Sequence, residues 1–229
     1  MQSRPSQGGS LRLSHGWGLS TSDTRPEIVA EFIRPAVRAV PQAIARRLKR
    51  CEISLSARVD DEHGASRWSL TGAKVEIAVA TEGVEPHDVA LELLICIGQT
   101  LWEVVSPAIC NTWINLLCTE LGEQVTGEID EQALGAKRAL LASRSVLRSR
   151  RCWEEYARAS FASTVAEYVH CLWHDVTVRT GQEHLPARSL RRRLVQLAEW
   201  FPPGRGRRLF AALRRREPAC KVFGTDAEV

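Results

Sequence analysis

The sequence predicts an α+β fold: a small three-stranded sheet backed by a mainly helical body. Cys51-Glu52-Ile53-Ser54-Leu55-Ser56 and Lys74-Val75-Glu76-Ile77-Ala78-Val79 alternate apolar and polar residues with the period of a half-buried strand, and Arg67-Trp68-Ser69-Leu70 is a shorter run of the same kind. From Pro86 onward the apolar spacing changes to three and four and stays there. Strands first and helices afterwards is the order of a fold that segregates the two.

Met1 to Ser22 is rich in Ser and Gly and lacks an apolar h-region, so residues 1–24 are expected to be a disordered tail and not a secretory signal. Thr24 and Pro26 suit the start of a helix carrying Ile28, Phe32 and Ile33, which Pro35 and Pro41 kink or divide before it ends near Arg50. His63-Gly64 and Thr71-Gly72 supply turns between the strands. Pro86 and Asp88 then open a helix with Ala90, Leu91, Leu94, Ile95, Gly98, Leu101 and Trp102 on one broad apolar face. Further helices are expected over 108–121, over 130–147, and from 151 past Trp173. After a break at Gly181 a last helix spans 189–200, stopped by Phe201-Pro202-Pro203-Gly204. The expectation is a single domain over 25–217 with a C-terminal tail at 218–229.

Composition narrows the function classes. With 44% hydrophobic and 25% charged residues the chain has an ordinary globular balance, and its best apolar run, Val89 to Leu101, is broken by Glu92, Gly98 and Gln99, so no membrane span is expected. Seven cysteines, an odd number with no C-x-x-C pair, point to reduced, buried thiols in a cytoplasmic setting and away from a disulfide framework or zinc ribbon. The formal charge of +4 is concentrated in arginines from Arg188 to Arg216, including Arg191, Arg192 and Arg193, which makes nucleic-acid binding one alternative. Trp200, Phe201 and Phe210 are the aromatics there, too few for a base-stacking platform, and a solvated helix face is the plainer expectation. G-x-S-x-G, P-loop and dinucleotide-binding motifs are absent from the sequence.

The stretch that carries most chemistry is Glu92-Leu93-Leu94-Ile95-Cys96-Ile97-Gly98-Gln99-Thr100-Leu101-Trp102-Glu103. It resembles the catalytic helix of a zincin metallopeptidase, H-E-x-x-H, in which two histidines one turn apart hold zinc and the glutamate activates water. Laid on that frame, Ile95 stands at the first histidine, Cys96 at the glutamate and Gln99 at the second histidine. The later run Tyr156-Ala157-Arg158-Ala159-Ser160-Phe161-Ala162-Ser163-Thr164-Val165-Ala166-Glu167-Tyr168 is similar to the glutamate-zincin helix that supplies the third ligand, which falls on Ser163 in one alignment and on Glu167 in the other. The resemblance covers roughly residues 50 to 210 and implies a zincin-like fold with a degenerate site. Isoleucine cannot ligate zinc, glutamine is a weak ligand, and a cysteine in an apolar face resists forming a thiolate. A pseudopeptidase without hydrolytic activity is expected, serving as a protein- or peptide-binding module. The resemblance makes Val75, Ile77 and Val79 part of the edge strand that would bind it by strand addition.

One competing site survives that loss. Glu167, His170 and His174 are spaced i, i+3, i+7 on one helix face, and His87 at the start of the degenerate helix would join them if the helices pack together. Asp175 and His184 are close in sequence. A metal-dependent enzyme or metal-binding protein is therefore the alternative, with zinc or another divalent ion where otherwise no cofactor is expected. The plainer expectation is hydrogen-bonded histidines near a helix end.

Overall fold

The computed structural model describes residues 11–22, 25–59, 65–143, 146–174 and 183–209. The Thr24 cap, the His63-Gly64 turn, Asp175, the Gly181 break, Phe210, Arg214 to Arg216 and the C-terminal tail lie outside the described residues, as does the first part of the N-terminal segment.

The described chain is mixed α+β, with seven α-helices and a five-stranded sheet in place of the three strands expected. Two of the strands, β1 (Leu11–Arg12) and β2 (Gly18–Thr21), come from the segment expected to be a tail. Trp17 and Leu19 anchor it, each about 1% exposed. Two apolar side chains in a Ser/Gly-rich stretch are a weak sequence signal, yet one buried tryptophan offsets a good part of the ordering cost.

The segment after β2 turns once as a wide π-helix at Ile28–Ile33, then continues as α1 (Arg34–Ala39) and, past Pro41, α2 (Gln42–Leu48). The division falls at the two prolines. Pro35 has no N–H to give to the preceding turn, which opens out instead, and Pro41 starts a new helix. β3 (Arg50–Ser56), β4 (Ser66–Thr71) and β5 (Lys74–Ala80) follow. Gly72, with φ of +60°, makes the tight β4–β5 turn that a side chain would strain.

The strand order is β1-β2-β3-β5-β4, with β2, β3 and β5 parallel and β4 antiparallel to β5. Chain order suggests a β3–β4–β5 meander, and the structure departs from it for a readable reason. Cys51, Ile53 and Leu55 sit in register with Val75, Ile77 and Val79, so the two clean apolar faces fuse into one inner surface. β4, with exposed Arg67, Ser69 and Thr71, is left at the edge, where charge and polarity discourage unwanted pairing. Val75, Ile77 and Val79 are therefore corrected: β5 is paired on both sides and the three side chains are at most 1% exposed, so they cannot receive an added strand.

α3 (Pro86–Val104) runs back beneath the sheet and α6 (Val146–His170) lies on its other side. Between two layers, α3 buries more than the single face expected: Val89, Leu93 and Ile97 are buried along with Ala90, Leu94 and Leu101. α4 (Pro107–Gly122), α5 (Glu131–Ala142) and α7 (Ala187–Trp200) complete the body. α5 stops at Ala142 and α6 starts at Val146, where the sequence reading ran one helix to 147 and began the next at 151. Ser143 takes extended backbone and closes α5. No single helix among the described residues is long and apolar enough to cross a membrane; α3 and α4 reach that composition only as a pair bent by 117°.

Candidate functional site

The site is built on the α3–α6 contact. α6 is dressed with small residues, Ala157, Ser160, Ala162, Ser163 and Ala166, all buried, and its Ser160, Ser163 and Thr164 hydroxyls bond back to carbonyls of their own helix. Opposite them is Gly98. A Cβ there would stand 2.6 Å from the carbonyl oxygen of Ala162, so the backbones touch. Ile95, one turn before Gly98, then faces α6 across a cavity of about 230 Å³.

Apolar walls come from Leu91, Ile95, Ile129, Ala166, Leu185 and Leu190; His87, Glu167, His170, His174 and His184 also line the cavity, with Glu128 and Asp130 from the segment before α5. Ile95 and both candidates for the third-ligand position, Ser163 and Glu167, line this same cavity. Cys96 does not reach it. It is 1% exposed, and burial pushes its thiol up to about 11. Gln99 turns away to Gln132 of α5, at 3.4 Å. Position 96 can therefore neither shuttle a proton nor bind metal near neutrality. Burial likewise pushes Cys51 up to about 12, whereas Cys118 is exposed. Iodoacetamide at pH 8 is expected to label Cys118 in the native protein and to reach Cys51 and Cys96 only in denaturant, as peptide mass mapping would report. Rapid native labelling of Cys96 would overturn its burial.

The histidines meet. Nε2 of His87, in the first turn of α3, lies 2.9 Å from Nε2 of His170 at the end of α6. The His174 ring stacks on His170 with centroids 5.2 Å apart and is 5.8 Å from His87. Burial, with His87 and His174 as neighbours, drives the His170 pKa down to about 4, so the ring is neutral at pH 7. Its Nδ1 is buried with no hydrogen-bond partner. Glu167, half-buried, accepts from the Cys171 thiol at 3.7 Å. As the side chains stand, no three His, Cys, Asp or Glu among the described residues are placed to hold a metal ion.

No family model, curated protein or solved structure matches this chain. Its chemistry has to be taken from its own geometry.

The arginines divide. Arg191 is exposed, and Arg192 pairs with both oxygens of Glu123 at 3.0 and 3.1 Å. Arg193 is corrected: it is fully buried, bonded to Glu120 at 2.6 and 3.0 Å and to Glu128 at 2.7 and 2.9 Å, and cannot contact phosphate. Its amphipathic helix turns that position inward, whatever its charge. Lys137 and Tyr156 also bond Glu128, at 2.9 and 2.5 Å. Burial pushes the Glu128 carboxyl up, but Arg193, Lys137 and Tyr156 together hold it below the usual carboxylate range; Glu120, with burial dominant, is raised. Sequence reasoning missed this network because its members are far apart in the chain and each looks like a surface charge. It missed Ile129 and Leu185 as cavity walls because they sit outside any long periodic pattern, and Leu190, on the apolar side of α7, because periodicity does not say what a helix face packs against.

Proposed function

We propose that the chain is a zincin-like pseudopeptidase: a cytoplasmic binding module that holds an extended peptide and does not hydrolyse it. The observation that carries this reading is the shared cavity, in which Ile95 at the first-ligand position faces Ser163 and Glu167 on α6. Around it the two helices touch at Gly98 and Ala162, and the small sheet precedes α3, as that resemblance implies. A site of this kind needs three protein ligands and a water-activating base. Ile95, Cys96 and Gln99 supply neither.

The strand-addition mode moves from β5 to β4. That strand stands at the end of the sheet order among the described residues, and Ser66 at its start donates to Glu92 of α3 at 2.8 Å, next to the cavity wall at Leu91. A bound peptide would take its main-chain hydrogen bonds from β4 and place one apolar side chain between Leu91 and Ile95. The unpaired thiols suit a reducing compartment. The test uses the full-length chain with zinc chloride added. It should leave a broad peptide mixture intact, and random peptides selected on it should share an apolar residue and lose at least tenfold in affinity on Ile95→Arg. Chelator-sensitive hydrolysis would overturn the reading, and so would peptide binding indifferent to Ile95→Arg.

A further inference from the structure

We propose that His87, His170 and His174 form a binding site for one divalent transition-metal ion, zinc or in its place cobalt or nickel, at the histidine end of the cavity between α3 and α6. This goes beyond the binding-module reading and does not depend on it, because none of the three residues falls on the degenerate H-E-x-x-H frame. Two of the ligand atoms already face each other, the Nε2 atoms of His87 and His170 at 2.9 Å. Two imidazoles sharing a tetrahedral zinc at about 2.0–2.1 Å hold their nitrogens about 3.3 Å apart, so the rings need to part by a few tenths of an ångström and tilt until both lone pairs meet on the ion.

His174 supplies the third ring. It follows His170 by one turn, is exposed, and now lies parallel to it, with an interplanar angle of 13°. Ion binding requires it to leave that stack and turn a nitrogen toward the gap. The turn at Cys171–His174, past the end of α6, leaves this side chain exposed while it still lines the cavity.

Two further observations point to a ligand. Nδ1 of His87 is 3.5 Å from Oδ1 of Asp88, which puts a carboxylate near the outer position that metal-bound histidines use, while Nε2 is the nitrogen aimed at His170. His170 is 7% exposed, and among the described residues its Nδ1 is unpartnered and its Nε2 meets another histidine. A histidine buried for packing alone normally has both nitrogens satisfied, and here Nε2 is met by a second imidazole and Nδ1 by no described group. The donor chemistry sets the ion class: imidazole nitrogens favour zinc, nickel, cobalt or copper over magnesium or calcium. A fourth position would open toward the apolar cavity, for water or a donor from whatever the cavity holds.

The test titrates the full-length, chelator-stripped chain with zinc chloride by calorimetry and with cobalt chloride by visible absorption. One ion per chain is expected, with cobalt d–d bands of a nitrogen-ligated site. His87→Ala and His170→Gln should each weaken zinc binding by more than the roughly 10–100-fold that loss of a second-shell partner costs. His170→Gln keeps a hydrogen-bonding side chain at the buried position, and His87→Ala changes a ring at the surface end of α3, so the comparison survives if His170→Ala fails to fold. Circular dichroism checks both. The proposal is overturned by zinc affinity within twofold of wild type in both variants, by no binding at hundreds of micromolar zinc, or by magnesium chloride binding equally well.

Discussion

Arg193→Met is expected to destabilise the protein by about 3–5 kcal/mol, the cost of removing one partner from a buried ion pair. At about 2–4 °C per kcal/mol for a chain of this size, the thermal midpoint should fall by roughly 6–20 °C. The network holds two cations, Arg193 and Lys137, against two carboxylates, Glu120 and Glu128, all four buried. Removing the guanidinium strands Glu120, whose other oxygen already lacks a partner, and leaves Glu128 with Lys137 and Tyr156. Lys137→Met should cost less, because Glu128 keeps both guanidinium bonds. Arg193→Lys should recover little, since one ammonium cannot reproduce a fork that spans two carboxylates. Urea unfolding of the three variants gives the ranking. An Arg193→Met midpoint close to wild type would mean that water reaches the network.

How much of this was legible in the sequence depended on how local the deciding interactions are. β3, β4 and β5 fall within a residue or two of their alternating runs, and α3, α4 and α7 do likewise. Period and proline placement act within a few residues, so they can be read in one dimension. The sheet order could not, because the β3–β5 pairing is decided by two distant strands both needing burial on the same face. The histidine site was half legible: spacing put His170 and His174 on one face, and His87 was named only on the condition that α3 packs on α6, which it does. Arg193 shows the opposite failure. In the sequence it is one arginine in a basic run, and only the folded positions of Glu120 and Glu128 turn it into the most deeply buried charge of α7.

Gly98→Ala is the variant for which local and tertiary reasoning give opposite signs. Alanine is a better helix former than glycine by about 1 kcal/mol, so α3 taken alone would be stabilised. In the fold, the added Cβ would stand 2.6 Å from the carbonyl oxygen and 2.7 Å from the Cα of Ala162. Neither is a side-chain atom that can swing aside, so α3 and α6 would have to separate along their whole contact. Overpacking of this kind costs about 1–3 kcal/mol and occasionally more. A backbone-to-backbone clash at the centre of the largest helix interface belongs at the upper end, so the clash should outweigh the propensity gain and leave a net destabilisation of about 2 kcal/mol. Adding Ala162→Gly should not rescue it, because the atoms in the way belong to the main chain. Gly98→Val should be worse than Gly98→Ala, since it adds bulk at the same point and a β-branched residue to a helix. Chemical unfolding decides: an unchanged or raised midpoint for Gly98→Ala, or recovery in the double variant, would mean that the two helices are not in backbone contact, and the cavity built on that contact would lose its basis.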